Sequence, residues 1–135
     1  MFICAKDTIL KEALLVFVGG GFGSLARYGI SLLFLRLSTW PLGPTLATLT
    51  SNVLASLALI LVWLGIQHGK IDPAMRFLVV VGFCGGFSTF STFSYETFQL
   101  LRQGLYLAAT LNVLISVIAC LVVVWLAYRL IEPTL

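Results

Sequence analysis

The chain has 135 residues, of which 60% are hydrophobic and 10% are charged, with a formal net charge of +3 at pH 7. Soluble domains carry about 25% charged residues, so this composition cannot cover a water-exposed globular surface. Eight Lys and Arg residues are too few for a nucleic-acid-binding surface, and the apolar content excludes a disordered chain. The composition indicates an integral membrane protein, with room for about four helical spans of about 20 residues each.

Charged residues divide the chain into apolar stretches of spanning length. Polar breaks occur before Ala13, at Arg36, between Lys70 and Arg76, at Arg102 and after Leu130. The stretches between them predict four transmembrane helices, and residues 1–135 leave no room for a second domain. The expected spans are about Ala13–Leu35, Pro44–Ile66, Phe77–Leu101 and Leu105–Leu130.

Span one combines small residues with one arginine. Gly19 with Gly23, and Gly20 with Ser24, are spaced at i and i+4, which lets helix backbones approach closely. Arg27 lies in the same span, where a guanidinium costs about 2.5 kcal/mol or more if it is central. Two interpretations stay open for Arg27: contact with a lipid headgroup, or attraction of anions at a vestibule.

One-sided polar stripes run along spans two and four. Their members recur at i, i+4 and i+8, which is one face of a helix. The amide of Asn52 carries two donors that hydrocarbon cannot satisfy. Interhelical hydrogen bonding would account for Asn52, and so would a polar path that offers protons to an anion. The stripes are Thr48, Asn52 and Ser56 in span two and Asn112, Ser116 and Cys120 in span four.

The sharpest signal is Gly82–Glu96 in span three, where adjacent glycines precede five hydroxyl residues within seven positions. Glycine costs about 1 kcal/mol against alanine in a helix, and Ser and Thr compete for backbone bonds, so we expect a locally broken helix. Freed carbonyls at such a break could coordinate a cation.

Phe90 and Phe93 share a helix face, where they either pack or present their positive ring edges to an anion. Glu96 is a boundary residue, a partner of hydroxyls, or a proton or cation site.

Catalysis has no support in the sequence. No second carboxylate lies near Glu96, and the single histidine, His68, stands in a polar turn. Two polar stripes and a broken helix, in a protein too small to enclose a pore, point to an oligomer.

The run Gly85–Glu96 closely resembles the signature GG-x-[ST]-T-F-S-T-F-S-x-E of the Fluc (CrcB) fluoride channels, and the glycines before Arg27 and the chain length match too. The resemblance implies an all-α membrane protein of four transmembrane helices, the third broken at mid-membrane, that forms an antiparallel, dual-topology homodimer. It implies a passive, highly selective channel, not an enzyme, that exports fluoride across the bacterial inner (plasma) membrane. The expected partners are fluoride, membrane lipid and a second copy of the chain, with no nucleic acid.

The resemblance also implies roles for individual residues. A structural sodium ion at the dimer centre is expected to bind the main-chain carbonyls of Gly85 and Ser88 from each subunit. Arg27 corresponds to the family's vestibule-side arginine. The residues expected to line the fluoride pore are Asn52, Phe90, Ser91, Thr92, Phe93, Glu96 and Ser116.

In the expected mechanism, a chain of weak donors replaces the hydration shell of fluoride, and sodium supplies positive charge near the path. The alternative function is a small proton-coupled multidrug exporter, which four short spans and a membrane glutamate suit. Such exporters carry their acidic residue in span one, where this chain has none. A non-transporting assembly subunit is a third possibility, and it leaves the hydroxyl-rich break unexplained.

Overall fold

The computed structural model describes residues 2–37 and 42–132, with side chains described from residue 8 onwards. The regular elements in these two ranges are all helical. In chain order they are α1 (Phe2–Leu37), α2 (Gly43–Gln67), a π-helix (Arg76–Phe83), α3 (Cys84–Phe87), α4 (Phe90–Arg102) and α5 (Tyr106–Ile131).

In the described ranges, four helical stretches are long and apolar enough to cross a membrane, which confirms the predicted number of spans. Their large apolar side chains point outwards: Phe17 and Leu130 are each 79% exposed. Such an apolar exterior is typical of a surface that contacts lipid. Spans two to four begin and end within one residue of the expected bounds. The spans are Thr8–Leu37, Gly43–Gln67, Arg76–Arg102 and Tyr106–Ile131.

The connections between spans are short and use glycine where the backbone turns. Gly69 (φ 66°) and Gly104 (φ 73°) adopt positive φ, which side-chain-bearing residues rarely do. α2 continues to Gln67, and Gly65 packs within it against the side chain of Ile71. The sequence also indicates a turn at Trp40-Pro41, after Arg36, and these two residues lie outside the described ranges.

The third span changes its backbone conformation twice. Its first part, Arg76–Phe83, is a π-helix. This form is rare in proteins, and where it occurs it is often at a functional site. α3 then ends at Phe87, and Ser88 (ψ 156°) and Thr89 (ψ 119°) are extended before α4 begins at Phe90. Only two residues therefore leave the helix, and the remaining hydroxyl residues of the run lie inside α4.

This interruption divides the third span between two neighbours. The π-helix and α3 pack against α1, whereas α4 packs against α5, and α2 contacts both parts. Among the described residues, α1 does not pack against α4, and α5 packs against neither the π-helix nor α3. At Ser88 and Thr89 the chain thus passes from the α1 side of the molecule to the α5 side.

Glycines bring α1 into backbone contact with the first part of the third span. A Cβ atom on Gly19 would overlap the carbonyl oxygen of Leu78, and one on Gly23 would overlap that of Phe83. Gly86 meets the backbone of Gly20 in the same way. The close approach predicted from the small residues of span one is confirmed.

Candidate functional site

An open cavity of about 400 Å³ lies between α2, the interruption of the third span, and α5. The polar stripes predicted for spans two and four both contribute to its wall. Phe90 and Phe93 stand at its side with their ring centroids 5.7 Å apart, and Phe90 is 79% exposed. The lining residues are Asn52, Ser56, Ser88, Thr89, Phe90, Phe93, Ser116, Val117, Cys120 and Leu121.

The amide of Asn52 is held in one orientation. Its Oδ1 accepts a hydrogen bond of 2.9 Å from the backbone N–H of Thr89. Only the oxygen of an amide can accept such a bond, so the Nδ2 donors point away from Thr89. Nδ2 makes no hydrogen bond among the described residues and is not a fully buried atom. Its two N–H groups are therefore available to a ligand in the cavity that Asn52 lines.

The interruption also leaves carbonyl oxygens without their helical donors. In a continuous α-helix, the N–H of Thr89 would bond to the oxygen of Gly85, and that of Thr92 to the oxygen of Ser88. Here Thr89 bonds to Asn52, and the N–H of Thr92 bonds to Thr89 Oγ1 at 3.3 Å. No hydrogen bond between described residues reaches the oxygens of Gly85 and Ser88. These two carbonyl oxygens are suitable ligands for an alkali cation. Carbonyls of unwound helices coordinate such cations in transporters.

Ser91 and Thr92 line neither this cavity nor the Glu96 cavity described next. Their hydroxyls gather around Thr89: its Oγ1 lies 3.2 Å from Ser91 Oγ and donates to Thr92 Oγ1 at 3.1 Å. Thr89 also accepts the backbone N–H of Thr92 and so caps the N-terminus of α4. This cap explains why the helix resumes at Phe90 despite the run of hydroxyl residues.

Glu96 lies in a second cavity, of about 430 Å³, near the N-terminus of α2 and the start of α5. Its Oε1 accepts a hydrogen bond of 2.8 Å from Thr48 Oγ1. Its Oε2 is buried and has no hydrogen-bond partner among the described residues. Thr45 and Gln99 add polar groups to the wall of this cavity. The structure thus separates Glu96 from the cavity that contains Asn52, Phe90, Phe93 and Ser116.

A chain of side-chain hydrogen bonds joins α5 to α4. Asn112 Nδ2 donates to Thr97 Oγ1 at 2.9 Å, and Asn112 Oδ1 accepts from Ser116 Oγ at 3.4 Å. Asn112 and Ser116 are both buried. The stripe in span four had indicated both residues, whereas Thr97 was missed, because a lone threonine in an apolar helix carries no signal of its partner.

Arg27 lies on the other side of the third span and lines neither cavity. Its Nε–H donates to the carbonyl oxygen of Gly86 at 3.2 Å. The sequence had left open a contact with a lipid headgroup or an anion-attracting vestibule role, and the structure shows a bond to a backbone carbonyl. Thr89 and Cys120 line the Asn52 cavity, although neither was predicted as a site residue. The i+4 spacing of Cys120 from Ser116 was the signal for it.

The helices and cavities define a multi-pass α-helical membrane protein with hydroxyl, amide and phenylalanine groups placed between its spans. Comparison with known proteins narrows this class. The model of the family described as "CrcB-like protein, Camphor Resistance (CrcB)" matches residues 14–128. The chain belongs to the CrcB family.

Proteins named "Fluoride-specific ion channel FluC" are similar to this chain over most of its length. That of Pyrococcus abyssi is 41% identical over 121 residues, covering 90% of this chain and 96% of the relative. That of Thermococcus kodakarensis is 43% identical over 127 residues, covering 90% and 96%. That of Coxiella burnetii (strain Dugway 5J108-111) is 42% identical over 117 residues, covering 85% and 93%. The resemblance inferred from Gly85–Glu96 is thereby confirmed, and these relatives are named as channels rather than enzymes.

Proposed function

We propose that this protein is a passive, selective fluoride channel that exports fluoride across the plasma membrane, which is the inner membrane in a bacterium. The relatives' names support the choice of ion. The observation that carries the proposal is the Asn52 amide, whose oxygen is engaged by Thr89 while its N–H donors stay available in an open cavity. A site that offers donors and no lysine or arginine suits an anion that must bind and leave again.

The lining replaces the water around fluoride with several weak donors. Asn52 Nδ2 supplies two N–H groups, and the edges of the Phe90 and Phe93 rings supply partial positive charge. Ser116 Oγ adds a hydroxyl, because its bond to Asn112 is long at 3.4 Å and its proton can turn towards an anion. From this cavity the path follows α4 past the hydroxyls of Ser91 and Thr92.

The Glu96 cavity forms the far end of the proposed path. Thr48 holds one carboxylate oxygen of Glu96, and the second oxygen has no partner in the described residues. A proton on this second oxygen would make it a donor to fluoride. The same carboxyl group is the observation that favours the alternative, a small proton-coupled multidrug exporter, because proton coupling requires a titratable group within the membrane.

A second copy of the chain completes the path as an antiparallel, dual-topology homodimer. The support is geometric: the Asn52 cavity is open on one side, and the ring of Phe90 at its edge is 79% exposed. A path for an ion must be shielded from lipid, since an anion in hydrocarbon is costly. An antiparallel pair would form two such paths.

The carbonyls of Gly85 and Ser88 are the groups that would hold a structural sodium ion between the two copies. Both oxygens lack hydrogen-bond partners among the described residues, and a Cβ atom on Gly85 would meet nothing within 4 Å. Two carbonyls from one chain form half of a site, which a two-fold partner would complete. The bound ion would supply positive charge near the path.

Reconstitution into liposomes tests the function. Vesicles loaded with equal fluoride and chloride are diluted into a solution of an impermeant anion, and ion-selective electrodes follow both efflux rates after the membrane potential is clamped with valinomycin. The proposal expects rapid fluoride efflux with chloride retained. Equal release of both ions, or of neither, would contradict it. Proton movement driven by a lipophilic cation would instead support the exporter, and stable copurification of a different subunit would support an assembly role.

A further inference from the structure

The guanidinium of Arg27 is a half-buried charge within a membrane span, with a partner that does not neutralise it. Among the described residues, no carboxylate lies within 4.0 Å of the Arg27 guanidinium. The one hydrogen bond that its side chain makes to a described residue runs from Nε to the carbonyl oxygen of Gly86. A charged donor forms a stronger hydrogen bond to a carbonyl than a neutral donor does.

The position of Gly86 gives this bond a specific consequence. In a continuous helix the oxygen of Gly86 would accept the N–H of Phe90, and the interruption removes that donor. The oxygen of Cys84 is occupied by the N–H and the hydroxyl of Ser88, at 2.9 and 2.8 Å. Arg27 occupies the oxygen of Gly86. The oxygens of Gly85 and Ser88 stay without partners among the described residues.

We propose that Arg27 is a positioning residue: its Nε–H fixes the Gly86 carbonyl, and so holds the last turn of α3 in the form that presents the Gly85 and Ser88 oxygens to a sodium ion. This inference rests on the sodium site of the proposed function. The positioning role and an anion-attracting vestibule role depend on different properties of the Arg27 side chain. Positioning requires the donor at Nε, whereas attraction requires the positive charge.

Three substitutions separate the donor from the charge. Arg27→Gln places an amide nitrogen at the position of Nε and removes the charge. Arg27→Lys keeps the charge and places a methylene at the position of Nε. Arg27→Met provides an unbranched side chain that has neither the donor nor the charge. The Gln and Lys variants form a matched pair that decides the question even if the Met variant does not fold.

The primary readout does not depend on transport. Thermal unfolding midpoints of the purified protein in detergent are measured as sodium chloride replaces N-methylglucamine chloride at constant ionic strength, and the half-maximal sodium concentration is determined. We expect Arg27→Gln to stay within about twofold of wild type. We expect Arg27→Lys and Arg27→Met to need roughly three- to tenfold more sodium, the factor expected for one lost hydrogen bond.

Fluoride efflux from liposomes, measured on the same preparations, separates the two levels of the proposal. If Arg27→Lys matches wild type in the sodium titration while Arg27→Gln does not, or if all variants respond alike, the positioning role is overturned. If wild type conducts fluoride but its unfolding ignores sodium, the positioning role is overturned and the fluoride channel stands. If wild type and the variants respond to sodium in the expected order but wild type does not conduct fluoride, the positioning role is supported and the channel function fails.

Discussion

The two halves of the third span are held in the molecule by different kinds of contact. The π-helix and α3 meet α1 through backbone atoms, at places where Gly19 and Gly23 leave no room for a side chain. α4 meets α2 and α5 through side chains, with Glu96 bonded to Thr48 and Thr97 bonded to Asn112.

In the proposed channel, this difference lets one span serve both as a support and as part of the ion path. Backbone contacts at glycines are short and allow little adjustment, so the first half is a fixed base. Side-chain hydroxyls and amides can exchange partners, so the second half can offer donors to a passing ion. The interruption at Ser88 and Thr89 is the boundary between the two. Four substitutions test this division.

Among these four, Phe90→Ile is expected to have the largest effect, because it removes a ring edge from the second half while keeping an apolar side chain. We expect the fluoride efflux rate from liposomes to fall by about a hundredfold, equivalent to about 2.7 kcal/mol in the barrier. Phe98→Ile is the matched control, since Phe98 is on α4 but lines neither cavity. Unchanged efflux in Phe90→Ile, or an equal loss in both variants, would remove the ring edge from the mechanism.

Gly23→Ala tests the backbone contact of the first half. A methyl group there overlaps the carbonyl oxygen of Phe83, so we expect a loss of about 1–3 kcal/mol in the free energy of unfolding. The measurement is unfolding in detergent by titration with sodium dodecyl sulfate.

Gly21→Ala is the control for this contact, because a Cβ atom on Gly21 meets nothing within 4 Å. Alanine is the better helix former by about 1 kcal/mol, so this variant should be as stable as wild type or more stable. If the two alanine variants unfold alike, α1 does not depend on the close approach that we describe.

The sequence was sufficient for the number of spans and for the ends of spans two to four, because charge is excluded from the bilayer core and marks these boundaries, as Arg76 and Arg102 do. The expected start of span one at Ala13 is wrong, because α1 continues through Lys11 and Glu12 and the span begins at Thr8. The i,i+4 glycines predicted close packing in α1, since the spacing alone determines which helix face lacks side chains. Asn52 stood out because a polar amide in an apolar span needs a partner.

The partners themselves could not be predicted. The bond from Thr89 to Asn52 joins residues 37 positions apart, and that from Arg27 to Gly86 joins residues 59 positions apart. Each depends on how two spans pack against one another, which periodicity along one helix does not specify. The π-helix at Arg76–Phe83 likewise has an ordinary apolar sequence, and its backbone form depends on the surrounding contacts.

Thr48→Val tests a side-chain contact of the second half. It removes the donor to Glu96 and leaves the carboxyl group without a partner among the described residues, which should cost about 1–2 kcal/mol in the free energy of unfolding. In a Glu96→Leu background the same substitution should cost about 1 kcal/mol less. Additive effects in this double-mutant cycle would show that the bond does not join α2 to α4.

Tyr95→Phe is expected to have the smallest effect. The Tyr95 hydroxyl accepts a hydrogen bond from Gln99 on the exposed side of α4, at 2.6 Å. Exposed i,i+4 pairs contribute only about 0.2–0.5 kcal/mol, so the unfolding free energy and the fluoride efflux rate should both stay close to wild type. Tyr95 and Gln99 line the Glu96 cavity, so a large loss of efflux would show that the Tyr95 hydroxyl itself takes part in the far end of the path.

The most direct test of the account is the fluoride efflux rate of Asn52→Asp in liposomes. The Asp side chain keeps an oxygen that can accept the Thr89 N–H, and it replaces the donor nitrogen with a second, negatively charged oxygen. We expect the folded protein to persist, with a sodium response like that of wild type, and fluoride efflux to fall at least about a hundredfold. Efflux at the wild-type rate would show that fluoride does not pass the Asn52 amide, and would contradict the account.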